Sequence, residues 1–276
     1  MFSVDVIFQD DYFAVVNKPS GVSLFADRTS PLSFWDLLKT HFKERTIYPV
    51  HRLDKDTSGV LLLAFSKNAQ AQLTRQFFHH TVTKVYLAIC LGQPHPPAGK
   101  IDMPLCQGRK NSFRVAGQRA TIFLDQTSDI PTWRLPSSPQ VFNSHRRSHP
   151  SQTLYYTQLS NGQYSFVMVK PITGRTHQIR VHLAWIGHQI LGDTLYGTPQ
   201  SRQQQAERLA LHSFAFQCTE NWVSGQTPAQ RIFHAPLPPF FADTLKKMDR
   251  EYDRDLRDVQ KDIEAALKNL ERSRGW

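Results

Sequence analysis

The chain has 276 residues, with 33 Lys and Arg against 23 Asp and Glu, a formal charge of +10. At 40% hydrophobic and only 20% charged, it carries enough apolar mass for a sizeable core and is not a disordered tail. Its longest clean apolar run, Val60 to Phe65, is far shorter than the roughly 20 residues of a bilayer span, and Met1-Phe2-Ser3-Val4-Asp5 has acid where a secretory leader carries base. A cytoplasmic protein is expected.

Val4 to Phe8 and Tyr12 to Asn17 are short β-rich runs split by Gln9-Asp10-Asp11. They predict a hairpin, ended by Lys18-Pro19-Ser20-Gly21 through turn chemistry. Ser33 to Phe42 has helical spacing, Val60 to Phe65 reads as a buried strand, and Asn68 to Phe78 as a helix with Ala71, Leu73, Phe77 and Phe78 apolar. Val82 to Leu91, Tyr164 to Val169 and Leu209 to Phe216 alternate as strands. Strands with a few interleaved helices favour an α+β fold over a doubly wound α/β one.

Between these runs, Pro131 to Pro150 has breakers throughout and no period, which predicts a long loop. It belongs to a basic segment, Met103 to Gln152, with seven Lys and Arg against two Asp, a net +5. Such an excess suits a polyanionic partner, and the segment has no evident structural use for Arg134, Arg146 and Arg147. At the C-terminus, Leu245, Tyr252, Val259 and Ala266 form one heptad row and Leu256, Ile263 and Leu270 a second. They predict an amphipathic helix over 246–276, docked on a body of residues 1–245. Cys90, Cys106 and Cys218 are odd in number without C-x-x-C spacing, which suits free thiols and no zinc set.

Two segments set reactive groups beside elements that must be buried. The first is His51-Arg52-Leu53-Asp54-Lys55-Asp56-Thr57-Ser58-Gly59, and the second runs from Lys170 through Thr173-Gly174-Arg175-Thr176-His177-Gln178-Ile179-Arg180 to His182. Buried polar groups need partners, and pairing with each other is the simplest solution. Asp54 with an Arg of the second segment would make an ion pair that keeps the carboxylate charged, a candidate nucleophile or an ordinary salt bridge. Arg52 and Arg175 equally suit phosphate ligands, and His177 and His182 equally suit satisfied core imidazoles. No metal-binding His spacing, Gly-rich phosphate loop or serine-nucleophile motif is present, so neither metal nor cofactor is implied.

Taken together, Val16-Asn17-Lys18-Pro19-Ser20-Gly21, the His51 to Gly59 run, Lys84-Val85-Tyr86-Leu87-Ala88 with Gly92, Thr173 to His182, Gly187 to Asp193 with Tyr196, and Arg208 to His212 occur in a specific order. From Val4 to Pro239 the chain resembles the RluA-type RNA pseudouridine synthases. That resemblance implies a mixed, mainly antiparallel sheet with a central cleft, and a cofactor-free isomerase that turns uridine in tRNA or rRNA into its C-glycoside. It makes Asp54 the catalytic carboxylate and Tyr86 the residue that stacks on the uracil and helps remove the C5 proton. Arg180 becomes the partner of Asp54, and Arg52 the side chain that fills the gap left by the flipped base. Arg175 and His177 are then substrate-binding, with Arg134, Arg146 and Arg147 as further RNA contacts.

With three residues before Val4, no small N-terminal RNA-binding domain of the kind many members carry is expected, and Gln189 stands where Pro is common. The basic insertion at about 107–152 and the C-terminal helix also lie outside the shared motifs. RNA is the expected partner, with no membrane and no protein partner, and a monomer is expected. A competing reading, an RNA N-glycosidase, rests on Asp54 and Asp56, which in an extended chain face one side about 6.6 Å apart, inside the roughly 6.5–9.5 Å window of inverting glycosidases. Another is an RNA-binding protein with an idle site, which predicts damage at Asp54, Tyr86 or Arg180, and all three are intact.

Overall fold

The computed structural model describes residues 3–26, 32–109, 112–136, 147–197, 208–220 and 229–248, together with 261 and 265. Its elements run β1 (Asp5–Gln9), β2 (Phe13–Lys18), α1 (Phe34–His41), β3 (Tyr48–Pro49), β4 (Ser58–Ala64), α2 (Lys67–Phe78), β5 (Thr83–Leu91), β6 (Ala98–Asp102), β7 (Leu105–Gln107) and β8 (Phe113–Val115). Then come β9 (Phe123–Asp125), β10 (Thr132–Arg134), β11 (Ser148–His149), β12 (Gln152–Ser160), β13 (Tyr164–Pro171), α3 (Gln178–Trp185), β14 (Leu211–Glu220), β15 (Ala229–His234) and α4 (Pro239–Met248). They gather into two compact units, Met1–Tyr86 with Leu211–Pro236, and Leu87–Ala210 with Leu237–Trp276.

In the first unit the strands lie in the order β1-β2-β4-β14, with β15 on β14 and β3 on β4. The predicted hairpin forms, with Val6 opposite Val16. β4 is buried along its whole length, because its alternating side chains feed two separate cores. Val60, Leu62 and Ala64 join Phe13 and Val15 of β2 and Ala69 and Leu73 of α2. On the opposite face Leu61 and Leu63 join Ala14 and Val16 with Phe34 and Leu38 of α1. Coverage on both faces is why the run is continuously apolar rather than alternating. Both helices start at serine caps: Ser33 Oγ accepts from the Asp36 N–H while the Asp36 carboxylate accepts from the Ser33 N–H, and Ser66 Oγ accepts from the Ala69 N–H.

The division falls within β5, whose residues up to Tyr86 belong to the first unit; the second unit holds the rest of β5, then β13-β12-β6-β10-β9 in that order, and a small sheet, β11-β7-β8. α3 packs against β8, β12 and β13. The α+β expectation stands, and so does the mainly antiparallel pairing, since parallel pairs occur between β4 and β14 and between β6 and β10. The three cysteines are free and buried, as expected.

The structure corrects the reading of 131–150 as one long loop. Thr132–Arg134 is a strand, parallel to β6 and antiparallel to β9, and Ser148–His149 pairs with β7. Strands of two or three residues are too short to show a period, and long-range pairing alone holds them. Residues 137–146 lie outside the described residues. In the tail, α4 spans the expected boundary at 245 and buries Phe241, Leu245 and Met248. Both heptad rows beyond Leu245 fall outside the described residues, where only 261 and 265 are assigned, both helical. Among the described residues no helix is long and apolar enough to cross a membrane.

Candidate active site

The His51 to Gly59 segment enters β4 through side chains of alternating fate. His51 Nε2 accepts the Leu62 N–H at 3.0 Å, and its ring stacks on Phe77 and Phe216 at 4.8 and 6.0 Å. Burial, reinforced by Lys84, pushes its pKa down to about 3, so the imidazole is a neutral anchor. Arg52 is exposed, Leu53 is buried among the α1-side core, and Asp54 is half-buried. Asp54 to Thr57 then close a turn, with the Thr57 N–H donating to the Asp54 carbonyl at 3.2 Å. That turn removes the premise of the glycosidase reading, because Asp54 and Asp56 are not in an extended stretch.

What holds the turn is the end of β2. Lys18 is fully buried, and its ammonium donates to the carbonyls of Pro19, Lys55 and Thr57 at 2.9, 3.0 and 3.0 Å. Beside it, Ser20 Oγ donates to the Asp56 carbonyl at 2.6 Å and the Gly21 N–H to the Lys55 carbonyl at 3.0 Å. Desolvation lowers the Lys18 pKa to about 8, against the opposing pull of the Asp56 and Asp54 charges. The sequence reading treated Lys18 as a turn former. A lysine directly after a strand that enters the core was the available signal, since a charge placed there must find partners.

Tyr86 lies on β5 and packs against the core that contains Leu53. Its hydroxyl is hydrogen-bonded to the Ser213 side chain, and desolvation, helped by the Asp54 charge, pushes the phenol up to about 12. Asp54 and Tyr86 are therefore electrostatically coupled in one unit. Ser213 sits opposite Gly59 in the parallel β4–β14 register, so the strand that follows the Asp54 turn also abuts the partner of Tyr86.

The second segment lies in the other unit and departs from expectation in its local form. His177 takes a left-handed backbone, φ 56°, and caps α3, a helix the sequence reading did not assign. Gln178 Oε1 accepts from Thr173 Oγ1 and the Arg175 N–H, and Gln178 Nε2 donates to the Gln152 carbonyl, which pins this bend. Arg180 is buried and donates to Asp193 through Nε and Nη2, both at 2.8 Å. Asp193 is thus a partner of Arg180 that sequence reading did not assign; its place in the Gly187 to Asp193 motif was the available signal. His182 is the satisfied core imidazole of the two alternatives: Nδ1 pairs with Thr153 Oγ1 at 2.8 Å and Nε2 with the Met103 carbonyl at 2.9 Å. Burial holds its pKa down at about 4.

Among the remaining candidates, Arg175 is exposed and donates through Nε to the Pro150 carbonyl at 3.2 Å. Arg134 corrects the view that its charge lacks structural use: it bridges Asp125 at 3.1 Å and Asp102 at 3.6 Å, joining β10 to β9 and β6. Arg147 is exposed and lines a cleft with Gln107, Gly108, Phe113 and His149. Arg146 lies outside the described residues. Among the described residues no three His, Cys, Asp or Glu side chains gather as a metal site.

With that geometry in view, comparison with known proteins is informative. Residues 12–185 match the family model described as RNA pseudouridylate synthase. The chain is 35% identical over 213 residues to the dual-specificity RNA pseudouridine synthase RluA of Escherichia coli, covering 75% of this chain and 83% of the relative. It is 33% identical over 233 residues to the RluA of Pasteurella multocida, covering 82% and 93%. Among solved structures, human RNA pseudouridylate synthase domain containing 4 shares the fold, with TM-score 0.67, 24% identity and coverage of 88% and 92%. The chain belongs to the RluA-type RNA pseudouridine synthases, isomerases that act on RNA.

Proposed function

We propose that the protein converts a specific uridine of tRNA or rRNA to pseudouridine by flipping the base out of its stack, as a cytoplasmic monomer that needs no cofactor. The observation that carries this reading is the Asp54 turn, clamped by the buried Lys18 and electrostatically coupled to Tyr86. A carboxylate so held addresses C1′ of the ribose as the C1′–N1 bond breaks. The freed uracil turns on the Tyr86 ring and rejoins C1′ through C5, where the proton lost from C5 is matched by one gained at N1. A phenol pushed up to about 12 is protonated at neutral pH, so Tyr86 works as a relay that passes a proton on while accepting another. Arg180, held by Asp193, supplies a cation to the reaction, and Arg175 and His177 bind substrate. Exposure suits Arg52 to its place in the vacated stack, since unstacking costs a few kcal/mol and a planar cation offsets part of that. Arg147, exposed in the basic segment, with Arg146 beside it in sequence, extends the contact along the RNA backbone.

Asp54→Asn keeps the shape and removes the charge, so tritium release from C5-labelled uridine RNA is expected to stop while RNA affinity stays within a few-fold. Residual turnover near the wild-type rate would take Asp54 out of this role. Mass spectrometry of the product separates isomerase from glycosidase, because pseudouridine has the mass of uridine whereas cleavage leaves free uracil and an abasic ribose.

A further inference from the structure

The turn after α3 is organised by one carboxylate that serves two sides at once. The Asp193 side chain has no exposure and that of Arg180 is 7% exposed. Two parallel bonds, Nε to Oδ2 and Nη2 to Oδ1, both 2.8 Å, fix the plane of the guanidinium as a single bond does not. The same Oδ1 accepts the backbone N–H groups of Leu195 and Tyr196 at 3.0 Å each, an Asx-type turn that sets where Tyr196 emerges. Its ring lies 5.1 Å from Arg180 Cζ, a second restraint on the same cation.

Tyr196 then reaches a third group. Its hydroxyl oxygen accepts the Phe113 N–H at 2.9 Å and shares a hydrogen bond with His177 Nδ1, 2.7 Å away, whose direction follows the imidazole tautomer. The left-handed backbone of His177 is a conformation that costs a non-glycine residue energy and clusters at functional sites; here the Tyr196 bond and the α3 start hold it.

We infer that Asp193 is a positioning residue for two functional side chains, Arg180 directly and His177 through Tyr196. It sets the guanidinium plane, and through the turn and the Tyr196 hydroxyl it fixes where the His177 ring stands. This rests on the reading of Arg180 and His177 given above. Asp193→Asn is the informative variant, because its side-chain oxygen still accepts from Leu195 and Tyr196 while its amide nitrogen cannot accept from Arg180.

The experiment is steady-state tritium release from C5-tritiated tRNA and rRNA transcripts, using whichever the wild-type chain turns over, with each variant assayed well below its melting temperature. Asp193→Asn is expected to lower kcat about 10²-fold with KM within a few-fold, the order lost when a reacting group is misplaced by about 1 Å. Tyr196→Phe keeps the ring under Arg180 and loses the hydroxyl's bonds to the Phe113 N–H and to His177, of which the His177 bond bears on substrate, so KM is expected to rise about five-fold with a smaller change in kcat. Uniform loss of folded protein without this split would mean a structural role only and overturn the inference. Wild-type kcat in Asp193→Asn, alongside an impaired Arg180→Lys, also overturns it. Wild-type kcat in Arg180→Lys instead removes the underlying reading of Arg180. Should Asp193→Asn not fold, Tyr196→Phe decides alone, an unchanged KM counting against the inference.

Discussion

Lys18 sets two opposing requirements against each other. Burying an ammonium is costly, and the three carbonyls at 2.9–3.0 Å offset that cost only while the group is charged. Its folded pKa of about 8 lies below the 10.5 of a lysine in water. Between those values the folded state holds fewer protons than the unfolded one, so stability rises with pH as the desolvation penalty is relieved. Activity is expected to move the other way, because neutral Lys18 has two N–H donors for three carbonyls and no charge facing Asp54. A basic limb in kcat near pH 8, with rising unfolding free energy over the same range, is the expected pattern. Lys84 also titrates near 8, so the limb must persist in Lys84→Gln; its disappearance there would assign it to the wrong lysine.

At the scale of elements, the site depends on how closely β4 approaches β14. Gly59 has φ +108°, and a Cβ there would run into the Ser213 backbone carbonyl. Gly59→Ala therefore forces apart the strands that carry the end of the Asp54 turn and the hydrogen-bond partner of Tyr86. A loss of more than about 3 kcal/mol in urea unfolding is expected, since backbone clash adds to a disfavoured φ. A loss under about 1 kcal/mol would mean the strands part easily and that the register is not what couples Asp54 to Tyr86. The same approach explains why Ser58-Gly59, which reads as a turn in sequence, is the first pair of a strand: the glycine is there for a neighbour distant in the chain.

For the molecule as a whole, acid is the expected weakness. His51, His182 and His212 are held neutral by burial, with folded pKa values of about 3, 4 and 4 against 6.5. Their contribution is complete above pH 6.5 and is lost as pH falls from there toward 4, because the unfolded chain takes up protons the fold refuses. Three such groups give a slope of about 4 kcal/mol per pH unit in that window. Urea unfolding between pH 7 and 5 measures it, and His182→Gln should reduce the slope by about one third. A flat profile would mean these rings protonate in the folded state.

Local chemistry was sufficient for the long elements. The hairpin, α1, α2, β4 and β5 read correctly because each is long enough to show a period or ends in a cap. Asp54 stood out because a reactive side chain beside a core-forming run needs a partner, whereas Tyr86 and Arg180 were singled out by the resemblance of the ordered motifs. Long-range pairing was needed for the rest: that Thr132–Arg134 is a strand rests on its pairing with β6 and β9, and that Asp54 and Asp56 sit on a turn follows from Lys18, which is 37 positions from Lys55. Asp193 became a partner of Arg180, and Arg134 a strut between strands, because a charged side chain's role is set by which opposite charge the folded backbone brings within about 3 Å. Residue order encodes that proximity without displaying it.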